Sequence, residues 1–231
     1  MPPVQAVVFD LDGTLLDSLA DIAEAANRSL KQAGFPHHPP GQYAIFVGNG
    51  MRTMVERIIP SDSLDKDTVE AVLAGVRRHY ARNWRNHTRP YPGIAPLISG
   101  LHRRGTHLAV LSNKPREFLE KQVQWFFPDN PFSAVVGAEK ETPLKPDPTA
   151  LLKLIKTMDC LPQNTLMVGD TAVDIHTAHA AGAVAAGVLW GFRSQEELES
   201  AGAEILVGFP AELLSFIDRA ECGCPTRHRN R

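Results

Sequence analysis

The sequence predicts an α/β protein: a doubly wound parallel sheet carrying a second, inserted helical domain. Three observations lead there. Six short apolar runs rich in β-branched residues recur along the chain, as buried parallel strands do. Amphipathic stretches of helical period lie between the later ones. One interval, from Thr14 to His107, exceeds 90 residues, where an ordinary crossover takes about a dozen to thirty.

The first run, AVVF at 6–9, is followed by a strong helix pattern over 17–34. Asp17 or Ser18 stands as its N-cap, Leu19, Ile22, Ala26 and Leu30 share one face, and Gly34 stops it. A second pattern over 67–84 puts Val69, Val72, Leu73, Val76 and Tyr80 on one face. The insert is therefore helical, bounded by LLDS at one edge and by RPYPG at 89–93, whose prolines and glycine suit a hinge. Five more runs follow: HLAVLS at 107–112, AVVG at 134–137, TLMVG at 165–169, AVAAGVLW at 183–190 and EILVG at 204–208. Helices are expected over 148–158, with Leu151, Leu152 and Ile155 inward, and over 174–181, closed by Gly182. This divides the chain into a core of residues 1–16 and 90–220, a cap of 17–89, and a disordered tail of 221–231.

Composition narrows the function. A chain of 231 residues, 43% hydrophobic, suffices for a real core. Lys plus Arg number 24 against 26 Asp plus Glu, so a net charge of −2 gives no general attraction to nucleic acid. The longest apolar stretch, AAGAVAAGVLWGF, is glycine-broken and too short to span a bilayer, and MPPVQAVVFD resembles no secretion signal, which together predict a soluble cytoplasmic protein with no membrane partner. Cys160, Cys222 and Cys224 make no pairing framework, and the CGC of the tail lacks the second ligand pair of a zinc site.

The strand reading gathers the polar residues that matter. Asp10 ends the first strand, Ser112 the second, Lys145 follows the third in PLKPDP, and Asp170 ends the fourth in MVGDTAVDI. In an open parallel sheet these strand ends share one edge, where ligands bind. Asp10, Asp12, Asp170 and Asp174 would repel one another without a cation among them, and hard oxygen donors with open water positions suit Mg²⁺. A phosphoryl group beside the metal would account for the Ser112 hydroxyl and the Lys145 charge. Asp10 is then placed to attack phosphorus, and Asp12 to protonate the leaving alkoxide and activate water. The turn at Gly13 lets backbone N–H groups approach the phosphate.

Asp-x-Asp-Gly-Thr at 10–14, Ser-Asn-Lys at 112–114, Lys-Pro-Asp-Pro at 145–148 and Gly-Asp-x-x-x-Asp at 169–174 resemble, in order and spacing, the four motifs of the haloacid dehalogenase-like hydrolases. The helical insert resembles that superfamily's first type of cap. TRPYPGI together with GNGM resembles its phosphoglycolate phosphatase branch. The resemblance implies an Mg²⁺-dependent phosphomonoesterase acting on a small phosphorylated metabolite, as a monomer or homodimer. Asp10 would be nucleophile, Asp12 acid/base and Lys145 catalytic; Gly13, Ser112 and Asn113 would bind substrate. Metal would be held by Asp10, the Asp12 carbonyl and Asp170, supported by Asp174. Arg52, beside GNGM at 48–51, is expected to meet a substrate carboxylate, or else to be a solvated helix charge. Asp174 has a plainer reading as a helix cap, and His176 with His179 as surface residues of that helix. A sugar-phosphate mutase, or a nucleotide phosphatase or pyrophosphatase of the same superfamily, shares the motifs. A dehalogenase would need neither Asp12 nor Asp170, and a phosphoacceptor signalling domain would lack the cap.

Overall fold

A computed structural model describes residues 3–140 and 142–221. Strand β1 (Ala6–Phe9) leads into a two-residue strand β2 (Leu16–Asp17) and helix α1 (Leu19–Gln32). Helices α2 (Tyr43–Phe46), α3 (Met51–Ile58) and α4 (Lys66–Asn83) follow, then β3 (Arg89–Pro90). The remainder alternates: α5 (Ile94–Arg103), β4 (His107–Pro115), α6 (Arg116–Phe126), β5 (Ala134–Ala138), α7 (Thr149–Thr157), β6 (Thr165–Gly169) and α8 (Ala172–Ala181). It closes with β7 (Val184–Val188), α9 (Gln195–Ser200), β8 (Ile205–Val207) and α10 (Pro210–Glu221).

Six strands pair in parallel in the order β5-β4-β1-β6-β7-β8, with β1 central. Val7 and Phe9 point into one apolar layer with Leu97, Leu101, Val110 and Val168, while Ala6 and Val8 point into the other with Leu151, Ile155, Met167 and Ile175. Alternate residues of one strand thus feed both layers, and the strands read as continuous apolar runs for that reason. Register sets the site: Phe9 stands beside Val110 and Val168, so Asp10, Ser112 and Asp170 fall within about one residue step of each other at the strand ends.

Two details of the expected elements change. Strand β4 runs three residues beyond Ser112, to Pro115, with a register irregularity between Leu111 and Pro115. On α7, Leu152 is exposed and Leu154 is buried with Leu151 and Ile155, because residues 151, 154 and 155 share a helical stripe from which 152 is rotated by about 100°.

The insert forms its own core, in which α1 packs on α4. Ala26, Leu30, Tyr43, Val55, Ile58, Val72 and Val76 are fully or almost fully buried there, joined by Phe118 from α6 of the sheet domain. Asp65 caps α4, accepting from the Asp67 and Thr68 N–H groups. The two chain crossings between domains meet as a ladder, Leu16 with Pro90 and Asp17 with Arg89. Fully buried Asp21 adds a clamp, accepting from Thr88 N (2.9 Å), Thr88 Oγ1 (2.7 Å) and His87 N (3.0 Å). The tail from residue 222, including Cys222 and Cys224, lies outside the described residues. No helix among the described residues is long and apolar enough to cross a membrane.

Candidate active site

Asp10, Asp12, Ser112, Asn113, Thr171 and Phe192 from the sheet edge meet Gly48, Gly50, Met51 and Tyr80 from the insert around one cavity of about 60 Å³. Its floor is an ion-pair network. Lys145 Nζ donates to Asp10 Oδ1 at 2.8 Å and to Asp174 Oδ1 at 2.6 Å, all three side chains being nearly or fully buried. Asp10 therefore has one oxygen held by an ammonium, while Oδ2 has no hydrogen bond among the described residues. Burial pushes the Asp10 carboxyl up to about 6, against the opposing pull of Lys145 and with further upward pressure from Asp174. Burial works against the Lys145 ammonium, but Asp10 and Asp174 outweigh it and hold the group above its ordinary value.

Asp12 sits in a second network. Lys114 Nζ donates to its Oδ1 and Oδ2 at 2.8 and 2.9 Å, and Ser18 Oγ to Oδ1 at 2.5 Å. The same ammonium donates to Tyr80 OH at 2.8 Å. Two acids only two residues apart thus have separate lysines, which keeps their surroundings distinct.

Asp170 accepts from Thr14 Oγ1 at 3.0 Å and Phe192 N at 2.8 Å. Gly13, at φ +86°, passes so close that a Cβ there would lie 2.2 Å from Asp170 Oδ2, and a Cβ on Gly191 would lie 2.2 Å from Asp170 Cβ. Two glycines are needed because the backbone closes directly over this carboxylate. Asp174 closes a capping box with Thr171: Thr171 Oγ1 donates to Asp174 Oδ2 at 2.8 Å, and Thr171 N at 3.2 Å. Both its oxygens are committed, one to the cap and one to Lys145, so its placement serves the lysine as well as the helix.

The donor set fits a hard divalent cation. Asp10, Asp170 and Asp174 each offer an oxygen within 4.8 Å of the others, all buried, and the Lys145 ammonium pairs with Asp10 and Asp174 while Asp170 accepts only from Thr14 and Phe192 among the described residues. The uncompensated charge is why burial, followed by Asp174 and Asp10, drives the Asp170 carboxyl well above its usual range. A second acidic group, Asp21 with Glu24 and His87, has its buried carboxylate already spent on the hinge clamp.

Two expected site residues have their polar groups engaged by the protein. Arg52 lies on α3 outside the cavity, its guanidinium paired with Glu70 and, at 3.9 Å, with Glu56. The glycine turn at 48–50 faces the sheet edge, and the helix that follows rotates position 52 toward α4. Asn113 lines the cavity, but its amide is spent on protein: Nδ2 donates to Gly48 O and Lys145 O, and Oδ1 accepts from Lys145 N. The His176/His179 pair makes no metal cluster among the described residues; His179 lies 3.4 Å from Glu204.

The sequence assigns no site role to Lys114, Tyr80, Ser18, Thr171 or Arg193. Lys114 lies inside the Ser-Asn-Lys motif and is the one with a local signal. Tyr80 reads as a core residue of its helix face, which it also is. Arg193, after β7, donates to Val47 O at 3.0 Å and Ile45 O at 3.3 Å, closing the insert's loop onto the sheet.

Residues 7–188 match the sequence pattern of the haloacid dehalogenase-like hydrolases. The chain belongs to that family. Within this hydrolase family it is 33% identical over 215 residues to the phosphoglycolate phosphatase of Aquifex aeolicus, covering 93% of this chain and 97% of the relative. It is 30% identical to an N-acetylmuramic acid 6-phosphate phosphatase of Pseudomonas putida, covering 96% and 99%. A crystal structure of a predicted phosphoglycolate phosphatase from Haemophilus somnus superposes with a TM-score of 0.85 at 27% identity, covering 92% of this chain and 97% of that one. The hydrolase thus falls in the phosphoglycolate phosphatase-like branch, among phosphoric monoester hydrolases.

Proposed function

We propose that the protein is an Mg²⁺-dependent phosphatase of small phosphomonoesters, 2-phosphoglycolate foremost, working through an aspartyl-phosphate on Asp10. The observation that carries this is Asp10 itself: it lines the cavity, with Oδ1 held by Lys145 and Oδ2 without a hydrogen bond among the described residues. Oδ2 attacks phosphorus, the bond from phosphorus to the ester oxygen breaks, and Asp12, which enters the step in its protonated form, gives that oxygen its proton. Water then attacks the aspartyl-phosphate, Asp12 takes the water's proton, and inorganic phosphate leaves with the Asp10 carboxylate restored. Lys145 and Ser112 hold phosphoryl oxygens, and Gly13 leaves room for the approach. Mg²⁺, held by Asp10, the Asp12 carbonyl and Asp170, would neutralise charge on the phosphoryl group. We treat residues 17–89 as a cap hinged at the β2/β3 ladder.

The name shared by several relatives supports 2-phosphoglycolate as the substrate. The test is phosphate release from 2-phosphoglycolate, N-acetylmuramic acid 6-phosphate, glucose 6-phosphate, a nucleoside monophosphate and pyrophosphate, beside isomerisation of a hexose 1-phosphate. A kcat/KM for 2-phosphoglycolate at least about tenfold above the others is expected; preference for a hexose phosphate, or isomerisation, would overturn the substrate reading.

A further inference from the structure

On the side of the insert, the cavity offers its occupant one polar place. From the insert, Ile22, Val47, Met51, Met54 and Val76 line it with apolar side chains, and Tyr80 is the insert's one polar side chain there. From the sheet side comes Lys114, the one basic side chain among the lining residues. Its side chain is 4% exposed, with Nζ 4.7 Å over the Tyr80 ring.

A buried ammonium needs an anion, and Asp12 supplies one, so Lys114 has a structural role already. Tyr80 points beyond it. Its hydroxyl accepts from Lys114 Nζ and, at 3.1 Å, from Gln122 Nε2, so with the Gln122 amide turned this way, its Oε1 buried without a partner, the Tyr80 O–H proton has no acceptor among the described residues. Burial pushes this phenol up to about 12, which keeps it a donor. A buried donor without an acceptor is costly, and an arriving anion would satisfy it.

We propose that Lys114 and Tyr80 form the subsite for a distal anion on the substrate, a carboxylate one or two carbons from the phosphate ester, and so determine preference for acid-bearing esters. This rests on the reading of Asp10 as the phosphate end of the same cavity. An arriving carboxylate takes one Lys114 N–H from Asp12 and the free proton of Tyr80. An ester lacking the carboxylate leaves Lys114 on Asp12 and Tyr80 unsatisfied.

The test compares esters that differ in the distal anion: 2-phosphoglycolate against 2-hydroxyethyl phosphate, and 3-phosphoglycerate against glycerol 3-phosphate. The quantity read is the ratio of kcat/KM within each pair, for wild type, Lys114→Met, Lys114→Gln and Tyr80→Phe. Wild type should prefer the acid of at least one pair. Either Lys114 substitution should cut that preference about 10- to 100-fold, mostly through KM, and Tyr80→Phe by a few-fold, whatever the general loss of rate from disturbing Asp12. Two Lys114 variants are used so that failure of one to fold leaves the other, with Tyr80→Phe as a third reading. Preference appearing only in the longer pair and lost with Lys114 would uphold this subsite while overturning 2-phosphoglycolate as the substrate. No preference in wild type, or a preference retained without the Lys114 ammonium, would overturn the subsite.

Discussion

Asn113 of the sheet domain and Gly48 of the insert are joined by a hydrogen bond of 3.0 Å from Nδ2 to the carbonyl oxygen, across 65 positions of sequence. The same amide grips Lys145 on both sides, accepting from its N–H at 2.8 Å and donating to its carbonyl at 2.9 Å. One side chain therefore ties the insert's glycine turn to the segment that presents the lysine of Asp10. Arg193 makes a second tie to the same turn through Val47 O.

Removing these ties should loosen the insert, and the two differ in whether Lys145 moves with it. Asn113→Ala leaves backbone groups of Lys145 unpaired, and stability should fall by about 1–3 kcal/mol, with lower kcat from a misplaced lysine. Arg193→Ala should leave Lys145 in place and raise KM by a similar factor for acidic and uncharged esters alike. Melting temperatures and steady-state kinetics on both ester types check both outcomes.

Asp10→Asn should lower kcat by at least about 10⁴-fold while the protein stays folded, because the amide is nearly isosteric but no nucleophile. Near wild-type turnover would remove Asp10 from the chemistry.

The same substitution reads the electrostatic cost of burying the acid cluster. In the folded protein burial pushes the Asp10 carboxyl up to about 6 from its ordinary 3.8. Its folded value lies above the unfolded one, so folding favours the protonated form. The stabilising contribution is complete below about pH 4 and is lost as pH rises through about 6. Without metal, the melting temperature of Asp10→Asn should therefore gain on wild type between about pH 4 and pH 7. Mg²⁺ should raise the wild-type melting temperature more at the higher pH, and EDTA should abolish activity that Mg²⁺ restores. A metal-independent reaction would contradict the cation's role.

Arg52→Ala should change little. Its partners Glu56 and Glu70 are exposed, and surface pairs of this kind contribute about 0–1 kcal/mol. KM for 2-phosphoglycolate should stay within about twofold of wild type, whereas a selective rise would bring Arg52 back into the site.

Much of the molecule was legible before any coordinates. Strand runs such as AVVF and TLMVG stand where expected, because a strand buried on both faces must be apolar at every position. The acid residues at strand ends announced themselves for the opposite reason: carboxylates placed directly after apolar runs have no structural use there. Asp10, Asp12, Ser112, Lys145, Asp170 and Asp174 could thus be named together, since parallel topology brings strand ends to one edge.

What the sequence by itself determined, then, is the layered fold, the insert and the set of polar residues that gather at the strand ends, all of which follow from local patterns that repeat at fixed spacing. Only the tertiary structure decided who partners whom. Lys114 pairs with Asp12 and Lys145 with Asp10, a division no spacing encodes because each pair spans more than 100 residues and depends on which strand lies beside which. Arg52 turned outward because the helix after Gly50 sets its direction, and Tyr80 reached the cavity because α4 packs on α6, where its ring meets Phe118 edge-on at 5.1 Å. Side-chain direction at a domain boundary depends on the packing of two bodies against each other, and that is settled only when both have folded.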